Sequence, residues 1–140
     1  MIPHLQSIYD GPRADIPGDC LKTAVAALLD LPTAAVPHFA LFGREWRTAL
    51  AAFMTARGKR LRVYSDDPGE WIMWTPLGVH VSHMDVRPSG QLLIASGDSA
   101  NIPGAGHAVL WRGTTLVHDV HPLQRGLGSD PWGYYQVTDA

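Results

Sequence analysis

Apolar residues recur at helical spacing early in this chain, directly after a Gly-Asp-Cys sequence. From Asp19 to about Asp30 they fall three or four positions apart, at Leu21, Ala24, Val25, Leu28 and Leu29. Asp19 is a suitable N-cap, so the pattern makes Cys20 the first helical residue. Pro32 ends the helix because proline has no backbone N–H to continue it. Before the helix, residues 1–18 are rich in Pro and Gly and predict an irregular arm.

A second apolar face predicts another helix, and an alternating segment after it predicts a strand. Residues 43–57 are predicted to form a helix with Gly58 as its C-cap. Its apolar residues are spaced so that they lie on one face, which consists of Trp46, Leu50, Phe53 and Met54. Residues 59–65 alternate charged and apolar side chains, as a half-exposed strand does. Residues 66–69 are predicted as a turn, and residues 71–76 are apolar without a clear period.

The remainder of the chain predicts short strands joined by turns. They are expected at Val79–Val86, Gln91–Ala95, His107–Trp111, Thr115–His118 and Tyr134–Val137. Residues 112–114, Arg-Gly-Thr, are typical of a tight hairpin turn, and residues 96–106 are predicted to form a loop. Helices first and strands later indicate an α+β fold, with N-terminal helices packed on a C-terminal antiparallel β-sheet.

Composition narrows the class of protein. A length of 140 residues favours a single domain, 1–140, and a net charge of −2 does not favour nucleic acid as a partner. One cysteine forms no internal disulfide, so an oxidising compartment is not indicated. The sequence shows neither a signal peptide nor an uninterrupted apolar run long enough to span a membrane, so a cytoplasmic location without membrane partners is expected.

The lone cysteine and two distant polar residues form a candidate catalytic set. A helix N-terminus carries partial positive charge and unpaired N–H groups, which favour a thiolate at Cys20. His107 begins an apolar strand directly after Gly106, and Asp119 follows the next strand. A tight hairpin would bring Asp119 beside His107, where the carboxylate can orient the imidazole. Cys20, His107 and Asp119 are therefore the predicted nucleophile, base and orienting acid.

A thioester-forming reaction also needs donors for the oxyanion. The backbone N–H of Cys20 is one candidate, and a side-chain amide before the cysteine is the usual second. Gln6 is the only glutamine or asparagine upstream of Cys20, so it is the candidate for that role.

The order of these residues resembles that of papain-fold cysteine peptidases. The likeness is greatest to the compact bacterial branch that includes the leader-processing peptidase domains of bacteriocin exporters, and to small uncharacterised bacteriophage and bacterial proteins. The segments that carry it are Gly18-Asp19-Cys20, Leu31-Pro32, Val36-Pro37-His38-Phe39, Gly106-His107-Ala108-Val109 and His118-Asp119-Val120-His121-Pro122. The resemblance implies a papain-like domain with Cys20, His107 and Asp119 in the three roles above. In the family the oxyanion glutamine lies about six residues before the cysteine, where this chain has Ala14.

The predicted function is a thiol hydrolase, a peptidase or an amidase or isopeptidase, acting on a peptide or protein without a cofactor. Acyl transfer to an amine stays open, and if the chain is phage-encoded its setting is the host cytoplasm. The alternative is a catalytically silent papain-like protein that inhibits or sequesters a host or partner protein, with Cys20 as a small buried hydrophobe. No metal site is predicted, because His118 and His121 are three apart and point to opposite sides of a strand.

Overall fold

A computed structural model describes residues 1–6, 19–101 and 106–140 of the chain. Three α-helices and a six-stranded mixed sheet form this part of the protein, which confirms the α+β class. The helices are α1 (Cys20–Leu28), α2 (Trp46–Ala56) and α3 (Pro68–Trp74). The strands are β1 (Lys59–Ser65), β2 (His80–Ser82), β3 (Leu93–Asp98), β4 (Gly106–Arg112), β5 (Thr115–Asp119) and β6 (Gly133–Asp139).

The sheet is not fully antiparallel, and that part of the prediction is wrong. Its strand order is β2-β1-β6-β3-β4-β5, and β2 runs parallel to β1, with Arg62 opposite His80. Between these strands the chain forms α3 and a 3-10 turn, Thr75–Leu77, and then returns to the same end of the sheet. Parallel neighbours require such a crossover, whereas a tight turn joins only antiparallel strands.

The segment between β1 and β2 also differs from the predicted turn and strand. Asp67 caps α3 by accepting the Gly69 N–H at 2.9 Å, and Pro68 occupies the first turn, where its missing N–H costs nothing. The predicted strand at residues 79–86 is reduced to β2 and a 3-10 turn, Met84–Val86. That turn begins where Asp66 accepts the backbone N–H of Met84 at 3.1 Å.

The second helix begins later than predicted. Residues 39–45 form 3-10 turns, and Gly43 interrupts them with a φ of 56° and a ψ of −124°. This conformation suits glycine because it has no side chain to clash. Gly58, with a φ of 67°, follows α2 as expected for a C-cap.

The core lies mainly between the helices and one face of the sheet. Helix α1 contacts β4 and β3, and α2 contacts β1. The buried side chains on this face include Ala24, Val25, Leu50, Met54, Val63 and Leu110. The packing of α1 on β4 brings the N-terminal end of the helix to the beginning of that strand.

The first six residues run along the same region without regular secondary structure. Gln6 donates its backbone N–H to Val120 at 2.8 Å, and the His118 ring donates to the His4 carbonyl at 2.7 Å. The His4 ring in turn donates to the Leu31 carbonyl at 2.7 Å. The rest of the predicted arm, residues 7–18, lies outside the described residues.

Candidate active site

A β-bulge places the carboxylate and the imidazole on one face of the hairpin. Near the turn, Trp111 pairs with Leu116, but beyond the irregularity Leu110 pairs with His118, so Val117 is the extra residue. Asp119 consequently lies opposite Val109 instead of Ala108. Side chains alternate along a strand, so Asp119 shares the face of Val109 and of the residue two positions before it, His107.

The carboxylate of Asp119 is buried and accepts four hydrogen bonds. Its Oδ1 accepts from His107 Nε2 at 2.5 Å and from the His121 backbone N–H at 2.9 Å. Its Oδ2 accepts from Asn101 Nδ2 at 2.9 Å and from the Gly126 backbone N–H at 2.7 Å. Burial would raise the pKa of Asp119, but the bond from His107 and then the other donors lower it well below its ordinary value. Asp119 is therefore ionised at neutral pH.

The imidazole of His107 lies between this carboxylate and the thiol of Cys20. Burial would lower the pKa of His107, but the hydrogen bond to Asp119, the hydrogen bond to Cys20 and the charges of both partners raise it from 6.5 to about 9. Because Nε2 bonds to Asp119, Nδ1 is the ring nitrogen left for the Cys20 sulfur. Cys20, His107 and Asp119, the three residues predicted from the sequence, therefore lie together at one site.

Cys20 is the first residue of α1 and is half-buried. Asp19 is the N-cap as predicted, although its side chain makes no capping bond. Instead, the Asp19 backbone carbonyl accepts two hydrogen bonds from Thr23, one from the backbone N–H at 3.0 Å and one from the hydroxyl at 2.8 Å. The Cys20 N–H has no acceptor within the helix, because the first four N–H groups of an α-helix precede any partner. It can therefore serve a developing oxyanion beside the sulfur.

Gln6 lies close to the acid. It is 5% exposed, and its backbone bond to Val120 seats it next to Asp119. It is not part of the cavity wall that the described residues form in front of Cys20. Its role as the second oxyanion donor remains a prediction, and Ala14 lies outside the described residues.

A cavity of about 810 Å³ opens in front of Cys20 and His107; we call it the Cys20 cavity. Its volume is within the range of about 300–1,000 Å³ typical of small-molecule sites. Besides Cys20 and His107, its polar lining includes Arg47, Ser65, Asp67, Glu70 and Ser96. Its apolar wall comes mainly from α1, α2 and the sheet, and includes Leu21, Trp46, Val63, Ala108, Trp132 and Tyr135.

Two residues of this site were missed by the sequence analysis. Asn101 donates to Asp119 and accepts the backbone N–H of Arg125 at 2.9 Å, so it ties the acid to the following loop. The ring of His121 is buried, 6.2 Å from the His107 ring between centroids. Burial lowers the pKa of His121, and the charges of His107 and Arg125 lower it further against the opposing effect of Asp119. Both residues come from loops whose positions relative to Asp119 are set by the fold.

Comparison with protein-family models, curated proteins and solved structures yields no match to this chain. Within residues 1–6, 19–101 and 106–140, no group of three or more His, Cys, Asp or Glu side chains is arranged to hold a metal ion. In the same residues, no single helix is long and apolar enough to cross a membrane, although one pair bent by 104°, Cys20–Leu28 with Thr33–Ala56, meets the length and composition criteria jointly.

Proposed function

We propose that this protein is a cysteine-nucleophile hydrolase, a peptidase or an amidase or isopeptidase, that acts through Cys20, His107 and Asp119. The observation that carries the proposal is the His107 imidazole, which donates to a buried carboxylate and lines the same cavity as the Cys20 thiol beside it. A cysteine beside a histidine that a third group orients is the arrangement needed for an activated thiol nucleophile.

The geometry supports a two-step reaction. The Cys20 thiol transfers its proton to His107 Nδ1, and the sulfur attacks the substrate carbonyl carbon as a thiolate while the Cys20 N–H stabilises the oxyanion that forms. His107 Nδ1–H then protonates the leaving amine as the C–N bond breaks, which leaves a thioester. His107 next removes a proton from water, whose oxygen attacks the thioester carbonyl and releases the acid and the thiol. Asp119 keeps the ring oriented and stabilises its positive charge throughout.

The order of the three residues along the chain supports a papain-like arrangement for this hydrolase. The cysteine begins a helix, the histidine lies at the start of a strand, and the acid ends the next strand. This order agrees with the family resemblance of the sequence. The large cavity beside the sulfur provides space for a peptide or amide substrate.

Alkylation of Cys20 tests the proposal directly. Near neutral pH, iodoacetamide should modify Cys20 faster than a free cysteine, and His107→Ala should slow the modification. His80→Ala is the matched control, because His80 is exposed on the opposite edge strand of the sheet. Mass spectrometry of the intact protein gives the rates.

A turnover assay completes the test. A panel of activated peptide and amide substrates should be cleaved by the wild type and not by Cys20→Ser, which removes the thiol with little change in size. An inert Cys20 in the folded protein would contradict the hydrolase proposal and leave the binding-protein alternative.

A further inference from the structure

We propose that the Cys20 cavity selects a bulky, uncharged apolar group, aromatic or branched aliphatic, next to the carbonyl that Cys20 attacks. This inference rests on the proposed function, because it takes Cys20 as the reacting atom. It adds the substrate class, which the arrangement of Cys20, His107 and Asp119 alone does not specify.

A rigid aromatic wall supports this choice. Trp74 is fully buried, and it holds the rings of Trp46 and Tyr135 in edge-to-face contacts at centroid distances of 5.7 and 6.0 Å. Trp46 and Tyr135 both line the cavity. A wall that is already packed from behind loses little conformational entropy when a ligand binds, so its apolar surface contributes efficiently to affinity.

Among the described residues of the cavity wall, Arg47 and Glu70 carry opposite charges and are already paired with each other. Arg47 contacts Glu70 through Nη2–Oε1 at 2.5 Å and Nε–Oε2 at 3.3 Å, and Trp74 Nε1 donates to Glu70 Oε2 at 2.8 Å. The Arg47 guanidinium also stacks 4.5 Å from the Trp46 ring. A charged ligand group would have to open this pair or remain unpaired in an apolar site, and both are unfavourable. The other lining carboxylate, Asp67, is exposed and caps α3.

A half-exposed tryptophan at the cavity provides apolar surface for a ligand to cover. Trp132 is 53% exposed, and its backbone N–H donates to the Ser96 carbonyl at 2.7 Å. Its ring lies over Gly106, where an added Cβ would be 3.6 Å from the ring. Since Gly106 immediately precedes His107, the indole lies next to the reacting residues. Tryptophan in such a position contributes a large contact area at low entropic cost.

A set of matched electrophiles tests the inference without a known substrate. In each reaction the Cys20 sulfur displaces iodide, so the S–C bond forms as the C–I bond breaks. The probes are iodoacetamide, N-(2-phenylethyl)iodoacetamide, N-(2-aminoethyl)iodoacetamide and N-(carboxymethyl)iodoacetamide. Rates at Cys20 are divided by the rates with free N-acetylcysteine to remove differences in intrinsic reactivity. We expect the phenylethyl probe to exceed the other three by at least about tenfold, which is the discrimination that apolar pockets achieve.

Variants of the cavity wall separate its contribution from the reactivity of the sulfur. Ala40→Phe fills the cavity and Trp132→Ala removes the exposed ring, so each should lower the ratio of phenylethyl to iodoacetamide rates. Val86→Ala is the control, because Val86 is 63% exposed and does not line the cavity. Glu70→Gln should raise the relative rate of the carboxymethyl probe, and Arg47→Met that of the aminoethyl probe, since each leaves one charge unpaired.

The outcomes are distinguishable. Equal normalised rates for all four probes, or a charged probe as the fastest with the wild type, would overturn the inference while Cys20 remains a reactive nucleophile. A phenylethyl preference that survives both Ala40→Phe and Trp132→Ala would overturn it as well. Failure of Cys20 to react with iodoacetamide would overturn the proposed function, and this inference with it.

Discussion

The substitution Asp119→Asn removes a charge from the centre of the site with almost no change in shape. Asp119 is 1% exposed and accepts four hydrogen bonds. An asparagine keeps one oxygen, which serves two of the four donors, and turns an NH₂ group toward the other two. Each buried donor without an acceptor costs about 1–3 kcal/mol, so we expect a loss of about 2–6 kcal/mol in the free energy of unfolding.

The same substitution should change the chemistry of Cys20. The rise of the His107 pKa from 6.5 to about 9 corresponds to about 3 kcal/mol, and the bond to Asp119 is the largest contribution that raises it. Without the carboxylate, the pKa of His107 loses the largest contribution that raises it, while burial still lowers it, so the imidazolium beside the sulfur is less stable. We expect alkylation of Cys20 by iodoacetamide near neutral pH to slow by at least about tenfold, since one pKa unit is a factor of ten.

Two measurements check this prediction. Urea unfolding gives the loss in stability, and intact-protein mass spectrometry gives the alkylation rate as a function of pH. Asp85→Asn is the matched control, because Asp85 is exposed and away from the site. A folded Asp119→Asn protein with the alkylation rate and pH profile of the wild type would refute the reasoning.

The remaining predictions concern the pH dependence of stability and the hairpin turn. Because the pKa of His107 in the folded protein is raised above 6.5, its protonation stabilises the fold fully below pH 6.5, and this contribution is lost as the pH rises through about 9. We expect urea unfolding to show a decrease of up to about 3 kcal/mol across that interval, and a similar decrease in His107→Ala would contradict the assignment. Gly113→Ala should destabilise the hairpin by about 1–2 kcal/mol in thermal unfolding, because its φ is 63° and the new Cβ would lie 3.2 Å from the Ser89 carbonyl oxygen. Gly90→Ala, which meets no atom within 4 Å, is the control, and equal effects of the two substitutions would contradict the strain argument.

Several elements were predictable because their signals are local. The helix that begins at Cys20 follows from an apolar period and an N-cap residue within a dozen positions, and it begins where predicted. The strand at Lys59–Ser65 follows from alternation within seven positions. In both α1 and β1, the apolar pattern that predicts the element lies within the element itself, so no distant contact is needed to recognise it.

The segment after β1 contains a local helix-start signal within the residues that were predicted as a turn. Asp67 followed by Pro68 is a helix start, and α3 begins there. The direction of β2 could not be inferred in the same way, because a strand of three residues carries almost no pattern. Its parallel pairing depends on how the helical connection crosses the sheet.

Local patterns in the sequence were enough to predict a helix that begins at Cys20 and a tight turn between His107 and Asp119. The sequence also predicted that Asp119 lies beside His107, but the two side chains share one face only because the extra residue Val117 shifts the pairing register by one, and no sequence pattern showed that bulge. Without that bulge, Asp119 would point to the other face of the sheet, since strand side chains alternate. Tertiary structure also decided that Asn101 and the Gly126 N–H complete the shell around the carboxylate. Contacts between loops depend on long-range packing, which no local pattern in the sequence encodes.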